Sequence, residues 1–186
     1  MNRLNIVSTP ISDLLIVERH QIGDSRGGFS RLFCAEELRV AGWNAPVVQI
    51  NHTMTGKRGT VRGMHFQHPP HAEMKLVMCL RGIIWDVAVD LRAGSPSYLQ
   101  WHAEELPAAN NRAMLIPPGF AHGFQTLSDD CELLYLHSAA YTPHAEAGLN
   151  PKDRMLAISW PLAISEVSAK DSQHAMLDHT FKGVVL

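Results

Sequence analysis

The sequence has no excess of charge of either sign: 16 Lys and Arg face 18 Asp and Glu, for a formal net charge of −2 over 186 residues. A chain so balanced has no electrostatic reason to bind nucleic acid or an anionic membrane. Cysteine is scarce. Cys34, Cys79 and Cys131 are an odd set without CxxC spacing, which argues against a disulfide framework and against a zinc ribbon. No apolar run reaches the roughly 18 residues that span a bilayer. Near the start, Pro10 and Asp13 interrupt the apolar part and no small-residue cleavage pattern follows, so this segment does not read as a signal peptide. Internal repeats, low-complexity tracts and linkers are also missing. What is present is 46% hydrophobic residues, enough for the core of one domain spanning 1–186, and 11 histidines. The expectation is a cytoplasmic single-domain protein whose chemistry centres on histidine.

Short apolar stretches punctuated by Gly, Pro, Asn and Asp predict an all-β chain. Strands are expected at 14–18, 30–33, 47–52, 60–66, 75–80, 83–90, 100–106, 112–116, 123–127 and 132–137. In 83–90, Ile83, Trp85, Val87 and Val89 alternate with Ile84, Asp86, Ala88 and Asp90, so Asp86 could line a polar cavity behind an apolar face. A brief helix is expected at 35–41 and another at 168–177, capped by Ser168, with Trp160 docked in a loop. The run Thr55-Gly56-Lys57-Arg58-Gly59 lacks the first glycine of a phosphate loop and precedes no helix, so it reads as a hairpin turn with a solvated basic tip. Many short strands in one chain imply a sandwich or closed jelly roll, which disposes of exposed sheet edges.

Two blocks concentrate polar chemistry: Arg62-Gly63-Met64-His65-Phe66-Gln67, followed by His68, His71, Glu73 and Lys75, and Ile116-Pro117-Pro118-Gly119-Phe120-Ala121-His122-Gly123-Phe124. Taken alone, His65 reads as a hydrogen-bonded strand histidine and Tyr135, within Leu133-Leu134-Tyr135-Leu136, as a core tyrosine. Lys75 sits among Val, Leu and Met, so its ammonium either reaches solvent or faces a polar cavity. Arg62 has the planar fork that suits a diphosphate. His122 and Asp86 could form a His–carboxylate pair, structural or direct in role. A metal site would draw on His65, His68, His71, Glu73 and His122. Gln67, not a second histidine, stands across Phe66 from His65, and His68 and His71 fall in a Pro69-Pro70 loop, so no metal is expected.

Together the blocks resemble the two barrel motifs of the cupin superfamily. More closely, Gln49-x-Asn51-His52, the block 62–67, Lys75-Leu76-Val77, Asp86 through Arg92, Ser95-Pro96, the block 116–124, Leu134-Tyr135, Trp160-Pro161 and Ser168-x-Lys170-Asp171 resemble the nucleotide-sugar 3,5-epimerases typified by dTDP-4-dehydrorhamnose 3,5-epimerase. The resemblance runs in order along nearly the whole chain. It implies a double-stranded β-helix, or jelly-roll barrel, with short peripheral helices, and a substrate that is a nucleoside-diphosphate-4-keto-6-deoxyhexose. In such a sugar the C3 and C5 protons flank a carbonyl. Inversion therefore needs a base on one face, an acid on the other and a cation for the enolate oxygen, with no redox cofactor or metal. The resemblance implies His65 as base, Asp171 as its orienting carboxylate, Lys75 as electrophile and Tyr135 as acid. It further implies Arg26, Gln49, Asn51, Arg62, His122 and Tyr141 as substrate contacts, and a homodimer in which Arg26 serves the neighbouring cavity.

The chain departs from the family pattern at several positions. Arg31 stands where a glutamate usually falls, Ile50 replaces an aspartate, Ala72-Glu73-Met74 replaces Ala-Gln-Gly, and Ala140 replaces a tyrosine. None is the expected base, acid or lysine. They leave open a CDP- or GDP-linked sugar and inversion at C3 alone. A non-catalytic nucleotide-sugar-binding barrel is the alternative from another class, and the presence of the full proton-transfer set argues against it.

Overall fold

The computed structural model describes residues 2–186. Its strands are β1 (Leu4–Ser8), β2 (Leu15–Arg19), β3 (Gln21–Asp24), β4 (Gly27–Ser30), β5 (Gln49–Thr55), β6 (Thr60–Gln67), β7 (Lys75–Arg81) and β8 (Ile83–Asp90). They continue with β9 (Trp101–Pro107), β10 (Arg112–Ile116), β11 (Phe120–Thr126), β12 (Cys131–His137), β13 (Glu146–Gly148) and β14 (Glu166–Val167). Two one-turn helices, α1 (Ala35–Leu38) and α2 (Ala169–Ser172), lie outside the sheets. One six-stranded sheet runs β1-β2-β10-β7-β12-β5; a second runs β13-β6-β11-β8-β9, with β14 parallel to β6; β3 and β4 form a separate hairpin. This is the cupin jelly roll, as expected from the sequence. No helix among the described residues is long and apolar enough to cross a membrane.

Alternation along each strand assigns side chains to three cores. Between the sheets pack Val77 and Cys79 of β7, Ile84 and Ala88 of β8, Met114 and Ile116 of β10, and Leu133 of β12. The opposite residues of the first sheet, including Leu76, Met78, Leu115 and Leu136, pack outward against Leu38 and Trp43 of the α1 region. Those of the second sheet, Val87 and Val89 with Trp85, pack against the C-terminal segment through Leu149, Leu156 and Val184. The alternation predicted for 83–90 is therefore present, and Trp160 is docked in this third layer with its indole N–H on the Pro151 carbonyl (2.8 Å).

Several elements differ from expectation. The segment 30–33 is not a strand; β4 ends at Ser30 as the exposed half of the hairpin. The turn at 55–59 is not a hairpin, because β5 pairs with β12 and β6 with β11: the turn carries the chain from one sheet to the other. The second helix stops at Ser172 rather than running to 177. Asn150 Nδ2 takes the carbonyls of Ser172 and His174 (both 3.1 Å), satisfying groups that a longer helix would have bonded itself.

Candidate active site

The space between the sheets is apolar at one end and polar at the other. On β7 the inward series begins with Lys75 before Val77 and Cys79, and on antiparallel β12 it ends Leu133, Tyr135, His137. Polar residues of both strands thus reach the same end, where they line a cavity of about 440 Å³. His65, Lys75, Tyr135, Asp171, Gln49, Asn51, Arg62, His122 and Tyr141 all line it. Arg26 does not. It lies at the tip of the β3–β4 hairpin, exposed and paired with Asp24.

His65 projects from β6. Its Nε2 lies 2.7 Å from Asp171 Oδ1, and the ring is about a third exposed to the cavity, at 36%. Asp171 arrives from 106 residues away in sequence because β14 pairs in parallel with the start of β6, Val167 beside Val61, and α2 follows at once. The Ser168 hydroxyl caps α2 by accepting the Asp171 N–H (3.0 Å), which sets the direction of the carboxylate. Asp171 Oδ2 accepts the Gly63 N–H (3.1 Å). Gly63 has φ +114°, and a Cβ there would lie 2.6 Å from Gly123 Cα and 2.7 Å from the His122 oxygen, so only glycine fits where the β6–β11 register shifts. Burial opposes ionisation of Asp171, but the bonds from His65 and Gly63 outweigh it and hold its carboxyl below the usual range. An ionised carboxylate only accepts, so the His65 proton sits on Nε2 and the lone pair on Nδ1 is free to act as a base.

The opposite wall carries the acid candidate. Tyr135 stands on β12, in the other sheet, edge-on to His122 at 5.9 Å. Burial and then the nearby Asp86 carboxylate push its phenol up, so it stays protonated at neutral pH. The expected second pair is present: His122 Nε2 lies 2.7 Å from Asp86 Oδ1, both groups buried. Lys75 is buried as well. Its ammonium pairs with Glu73 (2.9 Å) and donates to the His65 carbonyl (3.3 Å), while the other Glu73 oxygen accepts from Gln67 (2.6 Å). Arg62, at the mouth, donates to Thr55 Oγ1 (2.9 Å) and to the Met54 carbonyl (3.4 Å). Beside it Glu146 bonds Tyr141 Oη (2.7 Å) and Lys170 Nζ (2.6 Å).

Three cavity residues escaped the sequence reading. Glu73 reads in the sequence only as a metal ligand or a departure from the family pattern, and its pairing with Lys75 two residues on carries no periodic signal. Glu146 lies on a strand too short to show alternation. His137 could have been found, because it shares the face of Tyr135 two positions earlier. Burial and then the Lys75 charge push its imidazole down to about 4. Among the described residues, His65, Asp171 and His174 place possible metal-ligating atoms within 4.8 Å of one another; His68, His71, Glu73 and His122 are not in that group. Arg31 bonds Glu37 and stays out of the cavity, so its replacement of a glutamate adds no charge there.

A family profile described as dTDP-4-dehydrorhamnose 3,5-epimerase matches residues 8–179. The dTDP-4-dehydrorhamnose 3,5-epimerase of Salmonella typhimurium is 40% identical over 175 residues, covering 93% of this chain and 95% of the relative. A dTDP-4-dehydrorhamnose 3-epimerase of Streptomyces niveus is 38% identical over 158 residues, 84% of this chain and 76% of the relative. The crystal structure of dTDP-6-deoxy-D-glucose-3,5-epimerase from Legionella pneumophila Philadelphia 1, in complex with dTDP-4-keto-L-rhamnose, superposes with a TM-score of 0.90 at 35% identity, covering 98% of this chain and 99% of that one. With its jelly roll, its His–Asp pair and these matches over nearly its full length, the chain belongs to the dTDP-4-dehydrorhamnose 3,5-epimerase family.

Proposed function

We propose that the chain inverts C3 and C5 of dTDP-4-dehydro-6-deoxy-D-glucose, through an enolate formed on either side of the C4 carbonyl. The observation that carries this reading is the placement of His65 on one sheet and Tyr135 on the other, facing across one cavity that Lys75 also lines. His65 Nδ1 removes a proton alpha to the carbonyl, and Asp171 stabilises the imidazolium that results. The Lys75 ammonium, itself buried, holds the developing oxyanion. Tyr135 then protonates the carbon from the opposite face, and a turn of the ring presents the second carbon to the same groups. Arg62 takes the diphosphate; Gln49, Asn51 and Tyr141 lie along the same mouth for the nucleotide. His122, backed by Asp86, lines the sugar end. We assign Arg26 to the cavity of a second subunit in a homodimer, since its hairpin is exposed from Gln21 to Phe29 and Arg26 does not line the cavity that holds His65 in its own chain. We assign the reaction to the cytoplasm, a reading that the three free cysteines support.

The test is incubation with dTDP-4-keto-6-deoxyglucose in deuterated water, with C3 and C5 read by NMR. Deuterium at both carbons with changed configuration is expected. Label at C3 alone would place the chain with the Streptomyces niveus 3-epimerase. The His65→Ala variant should lose exchange by about 10²- to 10⁴-fold. Tyr135→Phe should exchange protons yet fail to invert. Full turnover by His65→Ala would overturn the mechanism.

A further inference from the structure

The acid–base assignment leaves one inward-facing residue of β12 without a role. His137 lines the cavity and lies directly opposite Lys75 across the β7–β12 ladder. Its ring stacks with Tyr135, with centroids 6.1 Å apart and planes at 17°.

A chain of directional hydrogen bonds determines where its proton sits. The Tyr141 backbone N–H can only donate, and it does so to Gln49 Oε1 at 2.9 Å. The Gln49 amide is thereby oriented, and its NH₂ group donates to Asn51 Oδ1 at 3.0 Å. The Asn51 amide is oriented in turn, and its NH₂ group faces His137 Nε2 at 3.4 Å. An amide NH₂ only donates, so Nε2 carries the lone pair and a neutral ring carries its proton on Nδ1. Protonating Nε2 would set one N–H against another, beside an ammonium. This is the only hydrogen bond of the His137 ring among the described residues, which leaves the Nδ1–H free for substrate.

We propose that His137 is a second donor to the reacting carbonyl: its Nδ1–H, alongside the Lys75 ammonium, bonds the C4 oxygen and tightens as that oxygen becomes an enolate. The inference rests on the reading of Lys75 as the electrophile given above. A neutral imidazole suits the task. It is too weak an acid to transfer its proton, so the enolate remains an enolate, yet its N–H dipole is already oriented before charge develops. The proton stays on Nδ1 throughout, and no covalent bond to His137 is made or broken. Gln49 and Asn51 thus act as positioning residues for the sugar end of the cavity while lying at its nucleotide end.

Two measurements test this. In ¹⁵N-labelled protein at neutral pH, the His137 ring should show the neutral Nδ1–H tautomer; the Nε2–H tautomer or an imidazolium overturns the proposal. In deuterium exchange, His137→Val should lower kcat by about 100-fold with KM little changed. His137→Asn, which keeps an N–H, should recover part of the loss. Wild-type exchange in His137→Val, or a loss confined to KM, overturns the proposal. Lys75→Met separates the two readings. Exchange lost there but intact in His137→Val rejects His137 alone, whereas intact exchange in Lys75→Met rejects the electrophile assignment on which both stand. The tautomer measurement uses the unaltered chain and decides even if a variant does not fold.

Discussion

His137 and Asp171 are both held without a titrating proton in the cavity they line, the imidazole neutral because burial and the Lys75 charge oppose its cation, the carboxylate charged because His65 and Gly63 bond it. Both make the fold sensitive to acid. An unfolded histidine takes a proton below its ordinary 6.5, but folded His137 does not until about 4. Between those values the unfolded chain binds more protons, so stability falls as pH is lowered through that window. Asp171, whose folded carboxyl titrates below the ordinary 3.8, adds stability that is present above that value and lost as pH falls further. His137→Val should therefore flatten the plot of Tm against pH between about 6.5 and about 4, leaving the lower limb in place; melting followed by circular dichroism checks this. These shifts were invisible in the sequence. His137 is an ordinary histidine until burial and the Lys75 charge act on it, and neither follows from its neighbours in the chain.

Elements convert local patterns into directions. Strands with clean alternation, such as β7, β8 and β12, were legible because one face must be apolar. Those that escaped were β1 and the short β3, β4, β13 and β14, whose two to five residues give too little periodicity to read. Yet β14 is the element that brings Asp171 to His65. The Ser168 cap was legible, and its consequence is larger than the cap itself, because the N–H it binds belongs to the residue that orients the base. Ser168→Ala should cost about 1 kcal/mol of stability. Activity should fall by more than that loss implies, as Asp171 gains freedom to turn from His65. Urea unfolding and deuterium exchange on the same variant measure the two effects.

Over the molecule as a whole, the two sheets close around an apolar centre and open at one end, and the C-terminal segment both covers the outer face of the second sheet and supplies Asp171. The β3–β4 hairpin stands apart from this arrangement, with Phe29 68% and Ile22 42% exposed. If it completes a second subunit's cavity, Arg26→Ala should raise KM for the nucleotide sugar with kcat near normal. Mixing Arg26→Ala chains with His65→Ala chains should then restore wild-type KM in part, because an exchanged pair holds one cavity with His65 intact and Arg26 supplied by the other chain. No restoration on mixing would assign Arg26 elsewhere.

The alternation of apolar and polar residues and the Gly and Pro punctuation were enough to predict a sandwich or jelly roll, since these depend on short spacings, whereas the expected base, acid and lysine came with the resemblance to the family. The partners of those residues were not open to the same reading. Asn51 meets His137 because β12 pairs with β5 in this register, a pairing between residues 86 apart. Asp171 was reachable only by likeness to a family, because a hydrogen bond between residues 106 apart leaves no mark in local sequence and exists only once β14 has docked against β6.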